Sequence, residues 1–250
     1  MRDSGEKVPL IYISKNGMLT AHMDFSPFEV KIGVGFTDKR LIETAFTHRS
    51  YLNENRAPGR EHNERLEFLG DAVLELAVTE FLYKKYPQKP EGELTALRAA
   101  LVNTISISDA ATKLGMNEFL LLSRGESKDT GRARGIILAN AFEAVIGAIY
   151  LDQGYDAAYR FIEAQLFHKT EEVVEKRLWQ DAKSRFQEIA QDKTGVTPTY
   201  ELVDQSGPDH DKTFVVAAYL GREKIAAGEG RSKQEAEQAA AEKALAAKGW

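Results

Sequence analysis

The sequence predicts an all-α domain followed by a small α+β domain of order α-β-β-β-α. Three observations carry this. From Phe28 to about Val174 apolar residues recur at helical spacing, and strict alternation is nearly absent. After Lys176 the pattern changes to short strand-like runs separated by turn residues. The chain then closes on an alanine-rich stretch, Ser232–Lys248, of high helix propensity.

The elements follow in order. Residues 1–25 are polar with little periodicity, so they read as an N-terminal extension with the character of a mobile segment. Residues 26–176 form the helical domain. Its patterns are FTDKRLIETAFTH, RLEFLGDAVLELAVTEFLYKKY, GELTALRAALVNTISISDAATKLG, IILANAFEAVIGAIYLDQG and YDAAYRFIEAQLF. Thr37 and Asp38 are placed to cap the first of these, and Gly154 to end a later one. Residues 177–181 are the expected linker, and 182–250 the small domain. There Ala182–Gln191 is helical, and TYELVD (199–204), KTFVVAAYL (212–220) and EKIAAG (223–228) are the three strands. Ser206-Gly207-Pro208 and Gly221 supply turns, and Ser232 with Glu235 makes a capping box for the last helix.

Composition narrows the function classes. The chain has 250 residues, 43% hydrophobic and 28% charged, as in ordinary globular proteins. It has no cysteine, which excludes disulfides, thiolate zinc sites and cysteine nucleophiles and suits a reducing cytoplasm. The longest apolar run, Ile136–Ile149, is interrupted by Asn140 and Glu143 and falls short of the roughly 20 residues that span a bilayer. The net charge is −5, so any contact with nucleic acid has to come from local basic groups.

Two clusters stand out, one of three acids and one of an acid with an amide. In NERLEFLGD (63–71), Glu64, Glu67 and Asp71 fall within about 60° of one another on a helix, with Leu66, Leu69 and Val73 opposite. A solvated acidic face is one reading. Against it, Phe68 lies in the acidic sector and no lysine or arginine is interleaved in that sector. Like charges at these spacings cost a helix roughly 0.2–0.5 kcal/mol per pair, which a divalent cation would offset. Gly70 is unusual in mid-helix, where it costs about 1 kcal/mol, and points to close approach of another backbone. In the second cluster, Asn140 and Glu143 share one face of an otherwise apolar helix. A buried carboxylate is paired, protonated or bound to metal. Either Glu143 is held by an arginine such as Arg98 and Asn140 caps a backbone group, or both join Glu64, Glu67 and Asp71 around a metal.

NERLEFLGDAVL (63–74), THRSY (47–51), PEGELTALRAALV (90–102) and ANAFEAVIGAIYLDQG (139–154) together resemble the ribonuclease III family, in the order that family uses. SRFQE (184–188) and GRSKQEAEQAAAEKAL (230–245) resemble a double-stranded-RNA-binding domain. The match covers about residues 27–248. It implies a homodimeric endoribonuclease for double-stranded RNA that depends on Mg²⁺, with Mn²⁺ able to substitute. Its expected products carry 5′-phosphate and 3′-hydroxyl ends with a two-nucleotide 3′ overhang, made in processing ribosomal and other RNA. Carried over by motif, the metal ligands are Glu67, Asp71, Asn140 and Glu143, with Glu64 near the scissile region and Glu91 a further candidate. Gln187, His210, Arg231, Ser232 and Lys233 match the RNA-contacting positions. His48 and His62 are expected to serve packing or RNA contact. Two departures are visible: Asn140 stands where the family more often has aspartate, and Gln234 where it commonly has lysine. The first keeps a hard oxygen ligand and loses its charge, which leaves a catalytically impaired RNA-binding protein as the alternative reading. From Asp181 to Trp250, ten basic residues face twelve acidic ones, so a salt-dependent grip of modest strength is expected.

Overall fold

The computed structural model describes residues 10–13, 19–56, 58–175, 179, 181–208 and 212–250, with side chains from residue 23 onward. Its contacts divide the chain into two units, Met1–Glu175 and Lys176–Trp250. The larger begins with a two-stranded antiparallel ladder, β1 (Leu10–Ile13) against β2 (Leu19–His22), in register Leu10↔His22. The sequence reading found no strand there. The signal it passed over is Asn16-Gly17, a hairpin dipeptide between two β-prone runs.

Nine helices follow among the described residues of this unit: α1 (Ser26–Ile32), α2 (Lys39–Ala45), α3 (Arg49–Glu54), α4 (Glu64–Lys85), α5 (Glu91–Val102), α6 (Thr104–Lys113), α7 (Arg132–Gln153), α8 (Tyr155–Leu166) and α9 (Thr170–Glu175). Asp38 caps α2 by accepting from the Arg40 amide, and Gly154, at φ 83°, ends α7. The run from 92 to 115, read as one helical pattern, is two helices. Asn103 breaks it, with extended backbone (ψ 158°) and a side-chain oxygen that accepts from the Ser106 amide to start α6.

The core is built around α7, whose residues from Ile137 to Ile149 are buried except Asn140 and Glu143. By length and composition α7 could cross a membrane, but 61% of its most apolar window is buried inside the unit, as in a core helix. It packs most extensively on α4. Phe25, Phe28, Phe46 and Phe119 form an aromatic cluster at one end, and Phe81 stacks on Phe167 at 3.9 Å at another.

The smaller unit is α10 (Ala182–Thr194), an antiparallel sheet in the order β3 (Pro198–Ser206), β4 (Thr213–Leu220), β5 (Glu223–Gly230), and α11 (Lys233–Lys248). Phe186, Ala218, Ala240, Ala241, Ala244 and Leu245 form its core. The alanines of α11 let β5 approach closely: a methyl at Gly228 would stand 2.1 Å from the Ala240 nitrogen. Ser232 caps α11 as expected, but the reciprocal bond runs from the Arg231 amide to Glu235 rather than from Ser232 itself. The expected linker, 177–181, lies outside the described residues except for Trp179 and Asp181, and Asp181 caps α10.

Candidate active site

The α4–α7 contact is a meeting of backbones. A methyl on Gly70 would lie 1.7 Å from the carbonyl oxygen of Glu143, and one on Gly147 would lie 2.3 Å from that of Leu66. Real side chains do not fit at such distances, so both positions must be glycine. Gly70 does what its mid-helix position suggested. Gly147, an equal partner, was missed because a small residue in an apolar run gives no signal of its own.

This approach brings the acids of the two helices together. Leu66, Val73 and Leu74 point into the core, leaving Glu64 and Asp71 exposed and Glu67, Asn140 and Glu143 half-buried at the seam. Burial pushes the Glu67 carboxyl above its ordinary range, as do the charges of Glu64 and Asp71, while a hydrogen bond with the Asn140 side chain pulls the other way. Burial, then Asp71, Glu67 and Glu75 in turn, push Glu143 up to about 7. Among the described residues no lysine or arginine pairs with Glu67, Asp71 or Glu143. Arg98, the partner that sequence reasoning offered to Glu143, pairs instead with Glu75 at 2.7 Å and donates to Thr79. Glu75, two turns after Glu67, is a further acid of the cluster that sequence reasoning passed over.

Glu64 stands at the rim, 3.4 Å from Arg49 and 3.8 Å from His62. His48 accepts from the Ser50 amide and so caps α3, and burial lowers its pKa. Glu91, in the first turn of α5, accepts from Thr95, and no described contact joins it to the other acids.

The donor set is oxygen only, mutually repelling and short of positive charge, which fits a hard divalent cation. Among the described residues no group of three His, Asp or Glu side chains is closed around a point where an ion would sit. In the smaller unit, Gln187 on α10 and Arg231, Ser232 and Lys233 at the start of α11 are all exposed. His210 lies outside the described residues.

Fold and site thus define a two-unit protein: a helical unit with carboxylates gathered at a helix crossing, and an α-β-β-β-α unit with basic and polar groups at a helix start. The family described as Ribonuclease-III-like matches residues 38–170, and the double-stranded RNA binding motif matches 182–248. The chain is 47% identical to Ribonuclease 3 of Geobacillus kaustophilus over 221 residues, covering 88% of this chain and 89% of that protein. It is 46% identical to Ribonuclease 3 of Enterococcus faecalis over 215 residues, covering 86% and 93%. Among solved structures, the nuclease domain of ribonuclease III from Campylobacter jejuni aligns with a TM-score of 0.51 at 40% identity, covering 57% of this chain and 98% of that one. The chain belongs to the ribonuclease III family. It is an endoribonuclease carrying a double-stranded RNA binding motif.

Proposed function

We propose that this enzyme cuts both strands of duplex RNA in a reaction that depends on Mg²⁺ or Mn²⁺. Its products carry 5′-phosphate and 3′-hydroxyl ends with two-nucleotide 3′ overhangs, and its role is in processing ribosomal and other RNA in the cytoplasm. The observation that carries this reading is the convergence of Glu67, Asp71 and Glu143 at the glycine crossing with no described counter-cation. These carboxylates and the Asn140 carbonyl are the groups to hold the metal. A bound divalent ion would supply positive charge where the phosphate gains negative charge and would lower the pKa of water, so that hydroxide is available to attack. Gly70 and Gly147 fix the spacing of the two helices, and so the spacing of the acids. Gln187, Arg231, Ser232 and Lys233 contact the sugar-phosphate backbone, the surface by which duplex RNA is recognised.

The enzyme works as a homodimer. Phe68 is 81% exposed beside a groove of about 770 Å³ lined in part by Leu41, Leu66, Leu69 and Leu151. An exposed aromatic ring and a groove with leucines in its lining, on one face, give a patch that can meet its own copy about a twofold axis.

A second reading, an RNA-binding protein with an impaired centre, is favoured by the Asn140 side chain. It spends a hydrogen bond on Glu67 where an aspartate would lend charge. Incubation with long duplex RNA and Mg²⁺ or Mn²⁺ decides between them. We expect short products from the parent, more from Asn140→Asp and none from Asp71→Ala. Binding without cutting by the parent would favour the second reading, and cutting by Asp71→Ala would remove the metal assignment.

A further inference from the structure

Arg49 is the residue to which neither the motif nor the acid cluster gives a task. It opens α3, its side chain is 71% exposed, and its Nη1 lies 3.4 Å from Oε1 of Glu64. Among the described residues, no other lysine or arginine pairs with Glu64, Glu67, Asp71 or Glu143.

The pair is a poor structural device. Exposed ion pairs contribute little to stability. The backbone that carries Arg49 is held by other means. His48 caps α3 from the preceding position and gives its amide to the Leu121 carbonyl at 3.1 Å. Ser50 bonds His48 at 2.8 Å through its hydroxyl, which accepts from the Ser123 amide at 3.1 Å. At the far end of the helix, Glu54 accepts from the Arg124 amide. Arg49 is therefore a guanidinium on a fixed base whose own contact the fold does not need.

Its position has an electrostatic use. A polyanion approaching Glu64, Glu67, Asp71 and Glu143 meets like charge, and Arg49 is the cation that already pairs with one of these acids, Glu64, at the rim. A planar guanidinium fork matches two phosphate oxygens as well as it matches a carboxylate, and the carboxylate it now meets is half-exposed and held through a single contact. We propose that Arg49 binds the phosphodiester backbone of the duplex beside the acid cluster, exchanging its contact with Glu64 for one with phosphate. This rests on the duplex-nuclease reading above and adds to it a substrate-binding residue in the helical unit, apart from the grip of the smaller one.

The test compares the full-length parent with Arg49→Gln and Arg49→Lys. Binding of a long duplex RNA is titrated against salt in Ca²⁺, and cleavage kinetics are measured in Mg²⁺. For Arg49→Gln we expect binding about tenfold weaker and a plot of log K against log salt shallower by about 0.7–0.9, the loss of one phosphate contact. KM should rise with kcat kept within about twofold. Arg49→Lys should restore the slope, because the charge is kept, and only part of the affinity, because the fork is not. A parental slope in Arg49→Gln overturns the proposal, and so does a fall in kcat at unchanged KM, which would mean that Arg49 acts on Glu64 alone. A parent that binds but does not cut would defeat the nuclease reading, while the binding slopes still decide the role of Arg49.

Discussion

A methyl group at position 70 would lie 1.7 Å from the Glu143 carbonyl oxygen, and its other neighbours are backbone as well. Neither helix can yield without moving, so Gly70→Ala forces α4 and α7 apart. The gain in helix propensity, about 1 kcal/mol, is set against an overpacking cost of about 3 kcal/mol or more. We expect the thermal midpoint of the helical unit to fall by roughly 5–10 °C. An unchanged midpoint would mean that the helices do not meet backbone to backbone. At this scale the sequence was legible where a residue broke a local rule. Gly70 interrupts a good helix, and Glu143 interrupts an apolar one. It was silent where a residue obeyed the rules: Gly147 sits unremarked among small apolar neighbours, and Glu75 reads as one more surface acid. Arg98 shows a third case. It was offered as a partner for Glu143 and pairs instead with Glu75, because choosing between them needs the register of α5 on α4, which no single helix pattern contains.

At the scale of elements, loops are tied to helix ends by side chains that no periodicity reveals. Asp152, next to last in α7, accepts from the amides of Thr37 and Asp38, each at 2.9 Å, and Gln153 donates to the Gly35 carbonyl at 2.8 Å. The end of the core helix thus grips the loop that starts α2. Burial alone would raise the Asp152 pKa, but the Asp38 and Thr37 amides outweigh it and hold the carboxyl below its ordinary range. A depressed carboxylate contributes stability that is present above the unfolded pKa and lost as pH falls through the folded one. Asp152→Ala should therefore cost about 1–2 kcal/mol near neutral pH, the exposed part of the site discounting the full value of charged hydrogen bonds. Parent and variant should converge in stability as the pH is taken below the carboxylate range. Thermal melts at neutral and acid pH check this, and a difference that persists in acid would assign the effect to packing instead. The caps at Asp38 and Ser232 were legible because a cap is a local event. It hid the break at Asn103, where an asparagine that could have continued the helix turns its side chain on the backbone.

Across the whole molecule, the two-unit order and the family were readable because long motifs fix many positions together. Assembly was legible only through the resemblance, since the proposed twofold interface is completed by a second chain. The exposed face of α4 nonetheless bears a mark of it. Phe68 sits between Glu67 and Leu69 with 81% of its surface open to water, a costly place for a ring that could have been polar. It lines a groove together with Leu41, Leu69 and Leu151 and with the charged Arg40, Glu61 and Arg65. An exposed aromatic ring among leucines and charged side chains suits an interface whose anchor is aromatic. Because Phe68 makes so little contact within its own chain, Phe68→Asp should leave the fold intact while placing a charge where the partner's ring would enter. Truncating a central aromatic anchor commonly costs 2 kcal/mol or more of association, and a charge in the groove costs further. The parent should sediment at about twice the chain mass of 27.9 kDa. Phe68→Asp should sediment as a single chain at the same concentration, with its helical circular-dichroism spectrum unchanged. A parent that sediments as a monomer, or a variant that remains dimeric, would move the twofold contact away from this face of α4.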